Sequence, residues 1–151
     1  MEAWKRDRVG AALRGENPTV MKQMPGGFAV IGDVQWLPGY SLLLTDNPAA
    51  QKLSDLQMDE QSKFLTSMAA LARAVETACS DRNPDFVRVN IEILGNADPF
   101  LHAHVWPRYA WETSDMLTRP VWLYPETRWK DPTRQLGPEH NQIRSAITAL
   151  L

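Results

Sequence analysis

Residues 87–109 read VRVNIEILGNADPFLHAHVWPRY. Val87, Val89, Ile91 and Ile93 alternate with Arg88, Asn90 and Glu92, a period of two that gives an extended strand one apolar and one polar face. GNADP supplies turn chemistry, and the alternation resumes from Phe100 to Trp106. Leu101, Ala103 and Val105 then point one way, and Phe100, His102, His104 and Trp106 the other. Two of the three histidines in the chain of 151 residues therefore share a strand face, about 7 Å apart at their α-carbons.

Upstream, residues 59–79 predict the main helix, with Asp59 as its N-cap and Phe64, Leu65, Met68, Leu71, Ala72, Val75 and Cys79 on one stripe. Cys79 on that stripe reads as core filler. TVMKQM and FAVIGD, split by Pro25-Gly26-Gly27, predict a hairpin, because paired glycines permit the positive φ of a tight turn. YSLLLTD, after WLPG, is an apolar run of strand length. Residues 2–14 predict a short amphipathic helix with Trp4, Val9, Ala12 and Leu13 inward and a solvated basic face. Residues 113–137, rich in proline and tryptophan, read as an irregular tail wrapped over the body. Residues 138–151 read as a closing helix, with Pro138 in its first turn and Ile143, Ala146, Ile147 and Leu150 inward. Strands, a helix and strands again, linked by hairpin-like turns, predict an α+β domain on an antiparallel sheet of about five strands.

Composition narrows the function. A chain of 151 residues, 44% hydrophobic, can bury one core, and no linker or repeat divides it. Residues 1–151 are read as one domain. A formal net charge of −2 argues against general nucleic-acid binding, despite six tryptophans able to stack on bases. A lone cysteine cannot form an internal disulfide, and no signal-peptide core or membrane-length apolar run is present. The expectation is a soluble, cytoplasmic protein that does not engage membranes.

The paired histidines admit three chemistries. They can be half-exposed strand residues satisfied by water or backbone. They can be metal ligands, although Arg108 and Tyr109 stand where a third ligand of the H-x-H type would follow, Glu112 comes late, and His140 lies in a distant helix. They can also do covalent work at phosphorus, one imidazole attacking while its neighbour handles protons, since an unperturbed pKa of about 6.5 leaves the ring mostly neutral and nucleophilic.

HAHVWPRY resembles the end of the histidine-triad (HIT) motif, His-φ-His-φ-His-φ-φ, which in many members runs on into Pro-Arg. Anchored on Pro107-Arg108, His104 matches the third motif histidine, His102 the middle one, and Phe100 the first. LPGYSLLLTD resembles the family's Pro-Gly-His strand, with Tyr40 in place of its histidine. IGDV is similar to the upstream acidic segment, LSDLQMDEQSKFL to the start of the long helix, and VRVNIEILGNADP to the strand and glycine loop. The matches run in order over residues 20–112, leaving 113–151 as tail and C-terminal helix.

The resemblance implies a HIT-like α+β fold, often homodimeric, that hydrolyses or transfers nucleotidyl groups without a cofactor. It implies that His102 is the nucleophile, forming a nucleotidyl-histidine intermediate, and that His104 bonds the phosphate or protonates the leaving group. Asn90 and Asn96 correspond to phosphate-contacting side chains and Asp33 to the ribose-binding acid. Arg108 is expected either to touch ligand or to hold the strand end by a salt bridge. Phe100 and Tyr40 replace two histidines that help position the nucleophile; the phenyl ring can make no such hydrogen bond, whereas the Tyr40 hydroxyl or a backbone carbonyl can take over the task, with Tyr40 the one expected. Two functions follow: a nucleotide phosphohydrolase or nucleotidyltransferase, or a non-catalytic nucleotide-binding relative.

Overall fold

The computed structural model describes residues 2–151. The strands are β1 (Val20–Met24), β2 (Gly27–Ile31), β3 (Ser41–Leu44), β4 (Phe86–Leu94) and β5 (His102–Tyr109). They form one sheet in the order β1-β2-β3-β5-β4, with every neighbouring pair antiparallel. The hairpin expected over 87–109 is its long arm. In it Leu94 pairs with His102, Glu92 with His104 and Asn90 with Trp106. On the other side of β5, Leu44 pairs with His102 and Leu42 with His104. The histidines thus lie on an interior strand, held by backbone ladders on both sides.

The helices are α1 (Ala3–Arg6), α2 (Arg8–Leu13), α3 (Met58–Arg82), α4 (Ser114–Leu117), α5 (Glu126–Trp129) and α6 (Asn141–Ala149). Helix α3 covers one sheet face. Phe64, Leu71, Val75, Ala78 and Cys79 meet Ile31, Leu43, Leu101, Ala103 and Val105, all buried, with Ile147 of α6 at the margin. Burial of each larger apolar side chain contributes about 1.5–3 kcal/mol. Cys79 is filler as expected, and burial pushes its thiol pKa up to about 11. The hairpin between β1 and β2 is pinned to α3, where Gly26 N–H donates to Ser67 Oγ at 2.9 Å. A Cβ on Gly26 would lie 2.4 Å from the Lys63 carbonyl oxygen, so Gly26 serves close approach, and Gly27, with φ of 148°, serves the turn's conformation.

Several local expectations are corrected. Helix α3 starts one residue early at Met58, with the Gln57 N–H donating to Glu60, so Asp59 sits in the first turn instead of capping it. Leu65 is exposed, lying at the edge of the stripe. The N-terminal helix breaks into α1 and α2 because Asp7 caps a new start, accepting from Gly10 N–H, and Leu13 faces outward. Pro138 opens a short 3₁₀ turn ahead of α6, and Leu150 is exposed. On edge strand β4, Val89 packs against the core, but Val87, Ile91 and Ile93 remain 47%, 42% and 36% exposed.

The tail of residues 113–137 does cross the other sheet face, as α4, α5 and short 3₁₀ turns. Met116, Val121 and Tyr124 form a second core there with Trp36, Leu37, Tyr40, Trp106 and Tyr109. Among the described residues, no helix is long and apolar enough to cross a membrane.

Candidate active site

His102 and His104 project from β5 on the face opposite α3, with ring centroids 4.8 Å apart and planes at 74°. His102 is 4% exposed. Its Nδ1 lies 2.7 Å from the carbonyl oxygen of Phe100. A carbonyl can only accept, so Nδ1 carries the proton and Nε2 keeps its lone pair. The partner expected from Tyr40 is therefore supplied by backbone. The Phe100 side chain packs, its ring centroid 4.6 Å from that of His102.

Tyr40 serves the other histidine. Its hydroxyl is 2.8 Å from Nδ1 of His104. Its ring stacks on Trp106 at 3.7 Å with planes 8° apart, and the His104 ring is nearly parallel to both. Gly32 makes room for this, since a Cβ there would stand 2.3 Å from the Tyr40 ring. Burial raises the Tyr40 pKa well above its ordinary value, so the phenol keeps its proton. We assign Tyr40 as donor to Nδ1, which leaves the His104 proton on Nε2. Burial also lowers the pKa of His102 and, with help from the charge on His102, that of His104 to about 4. Both rings are neutral near pH 7.

Cavities flank the pair on two sides. The smaller, about 100 Å³, is bounded by Arg8, Val30, Asp33, Leu42, Phe100 and the two histidines. The larger, about 800 Å³, lies between the loop after β4 and the tail, walled by Asn96, Asp98, Trp106, Trp122, Tyr124 and Trp129.

The remaining expected site residues separate. Asn96 lines the larger cavity and Asp33 the smaller. The Asp33 carboxylate is engaged, accepting from Arg8 Nη2 at 2.9 Å. Arg108 does not reach ligand space. It is 2% exposed, its Nε and Nη2 grip the Glu112 carboxylate at 3.0 Å, and it also donates to the carbonyls of Met116 and Arg119. The salt-bridge alternative is the one realised. Asn90 is corrected with it: opposite Trp106, well along the strand from His102, its Oδ1 accepts from Arg108 Nη1 at 3.2 Å. His140 is distant, accepting from Gly137 N–H. Among the described residues, no group of three or more His, Cys, Asp or Glu is placed to hold a metal ion.

Sequence reasoning left Arg8 on a solvated basic face, whereas it reaches Asp33, and missed the tail aromatics Trp122, Tyr124 and Trp129. Their only signal was the density of tryptophan after residue 110, which reads equally as packing.

This geometry has relatives. The histidine triad protein of Sinorhizobium meliloti 1021 superimposes with a TM-score of 0.68 at 19% identity, over 87% of this chain and 88% of that one. The histidine triad protein of Bradyrhizobium japonicum gives 0.66 at 23%, over 87% and 86%. A Hit-like protein involved in cell-cycle regulation from Bartonella henselae gives 0.68 at 15%, over 95% of each chain. At such identities the likeness establishes the fold alone. No curated protein matches the chain. A sequence model of the HIT domain, however, matches residues 19–111, spanning every strand, α3 and both site histidines. The strand that carries His102 and His104 is thus the strand of a HIT domain, and the chain belongs to that family.

Proposed function

We propose that this protein is a nucleotide phosphohydrolase or nucleotidyltransferase that works through a nucleotidyl-His102 intermediate. The observation that carries the reading is the 2.7 Å contact between His102 Nδ1 and the Phe100 carbonyl, which leaves Nε2 as a free nucleophile in a neutral, pre-oriented ring. In the first step the Nε2 lone pair forms a bond to phosphorus. The P–O or P–N bond to the leaving group breaks, its electron pair departing with that group. A phosphate leaves as its anion; a nitrogen leaving atom takes its proton from solvent in the larger cavity. His104, neutral and carrying Nε2–H, donates a hydrogen bond to a phosphoryl oxygen, a role its lowered pKa favours over proton donation at pH 7. Asn96 adds a donor from the loop. In the second step water attacks phosphorus, the N–P bond breaks back to Nε2, and the water proton passes to solvent.

Charge neutralisation by hydrogen bonds needs no cofactor in this scheme. The partner is a nucleotide-like small molecule, in keeping with a net charge of −2 that disfavours general nucleic-acid binding. A homodimer is part of the proposal. Edge strand β4 is nine residues long and leaves Val87, Ile91 and Ile93 uncovered, a row that a second copy would bury. A buried, unpaired Cys79 fits a cytoplasmic setting.

A non-catalytic nucleotide binder is the second reading, favoured by the occupation of Asp33 by Arg8. One experiment separates the two. Purified protein is screened in chelator against adenosine and guanosine phosphoramidates, dinucleoside polyphosphates and nucleotidyl sugars, then quenched and mapped for an adduct. Turnover with an acid-labile, base-stable nucleotidyl group on His102 is the expected result. Binding without turnover or adduct supports the second reading, and an adduct on His104 would exchange the two roles.

A further inference from the structure

Both flanks of the histidine pair are shaped by chain outside the family-matched span of 19–111. On one side Arg8 of α2 reaches the Asp33 carboxylate, and Lys5 stands 3.9 Å from it. The space left is about 100 Å³, about three waters at roughly 30 Å³ each. On the other side the tail encloses about 800 Å³, within the 300–1,000 Å³ common to small-molecule sites.

The walls of the larger cavity select a chemistry. Trp106, Trp122, Tyr124 and Trp129 line it, with Trp106 and Trp129 centroids 5.7 Å apart. Tyr124 presents only its ring, because its hydroxyl donates to Glu112 at 2.7 Å. Trp106 is 5% exposed, and its Nε1–H finds no acceptor among the described residues, a buried donor that native interiors rarely leave unpaired. The charged lining residues are Asp98, Glu126 and Lys130, and Lys130 is paired with Glu126 at 2.6 Å. Aromatic faces and a slight acidic excess suit a flat aromatic ring and oppose a string of phosphates.

We infer that the cavity between the histidines and the Trp122–Trp129 tail is the seat of a planar aromatic ring joined to the reacting phosphorus, either the base of the nucleotidyl group or an aromatic leaving group. The assignment rests on the nucleotidyl-transfer reading for the identity of the centre to which the ring is attached. The ring stacks between tail and strand. The smaller cavity stays closed by Arg8 and Asp33 and takes no ring.

Fluorescence anisotropy with two probes tests this without depending on turnover. Etheno-AMP carries its ring as a base; 2-naphthyl phosphate carries a leaving-group ring and no nucleoside. The wild-type chain is compared with Trp122→Ala, Trp129→Ala and Arg8→Ala. Trp122 is half-exposed, so its removal leaves the core intact. At least one probe should bind, and each tryptophan change should weaken it by about tenfold, the scale of one lost ring stack. Arg8→Ala should leave the affinity within about twofold. Weakening confined to etheno-AMP identifies the ring as the base, and weakening confined to 2-naphthyl phosphate identifies it as the leaving group. Binding of neither probe, affinities indifferent to both tryptophan changes, or loss of binding in Arg8→Ala would overturn the inference. A chain that stacks a probe on its tail but turns over no nucleotide would instead retire the catalytic reading and leave the ring site standing.

Discussion

The backbone carbonyl of Phe100 holds Nδ1 of His102 at 2.7 Å. A main-chain group, not a side chain, sets the tautomer of the candidate nucleophile. The bond depends on the turn ahead of β5, where Phe100 N–H donates to the Asp98 carbonyl. The phenyl ring can therefore change without touching the bond. Phe100→His should leave kcat/KM within about threefold of wild type in steady-state assays on the best substrate of the screen. Strong activation would mean that the natural ring impairs the site.

Tyr40→Phe should act through His104. The variant keeps the ring that stacks on Trp106 and loses only the hydroxyl 2.8 Å from Nδ1. His104 is then free to exchange tautomers and to rotate away from phosphate. We expect kcat to fall about tenfold or more with little change in KM, the signature of an interaction made chiefly in the transition state. An unchanged kcat would remove Tyr40 from the site.

The acid limb of activity should be displaced. Burial lowers the pKa of His102 below 6.5, so its Nε2 stays unprotonated where an ordinary histidine would titrate. The pH profile of kcat/KM should stay level as pH falls through 6.5 and decline only below it. A midpoint above 6.5 would contradict a buried, neutral nucleophile.

Stability follows the same ionisations. Between about pH 4, where folded His104 titrates, and pH 6.5, where the unfolded residue does, the unfolded chain binds more protons. Stability therefore rises with pH across that window, is complete above 6.5 and is lost as pH falls toward 4. The His104 share is of order 3 kcal/mol. In denaturant titrations at pH 7 and pH 5, His104→Phe should show a smaller difference between the two than wild type.

Glu112→Ala should be among the most damaging changes outside the site. Glu112 accepts from Arg108, from the Tyr109 N–H and from the Tyr124 hydroxyl, and its removal leaves the Arg108 guanidinium buried without its counterion. Breaking a buried pair costs about 3–5 kcal/mol, roughly 10 °C in Tm for a chain of this size. Calorimetry of Glu112→Leu combined with Arg108→Met should recover part of that loss, because the orphaned charge goes too.

Much of this architecture was legible in residue order. The period of two across 87–93 and 100–106 defined the hairpin, and the spacing of Phe64, Leu71, Val75 and Cys79 defined the helix that covers it, because side-chain direction on a strand or helix is a local property of the backbone. The same locality put His102 and His104 on one face, and the order of motifs around them led to the family. Partnership is another matter. Whether Tyr40 would serve His102 or His104 depended on the register of β3 against β5, and whether Arg108 would meet ligand or Glu112 depended on how the tail folds back beyond Tyr109. Arg8 reaches Asp33 across 25 residues, and Trp129 meets Trp106 across a tail with almost no regular ladder. The sequence by itself determined the strands, the main helix, the apolar face and the histidine pair; tertiary structure alone decided which groups hold each imidazole and which cavity stays open, since those contacts join segments whose relative placement no local periodicity encodes.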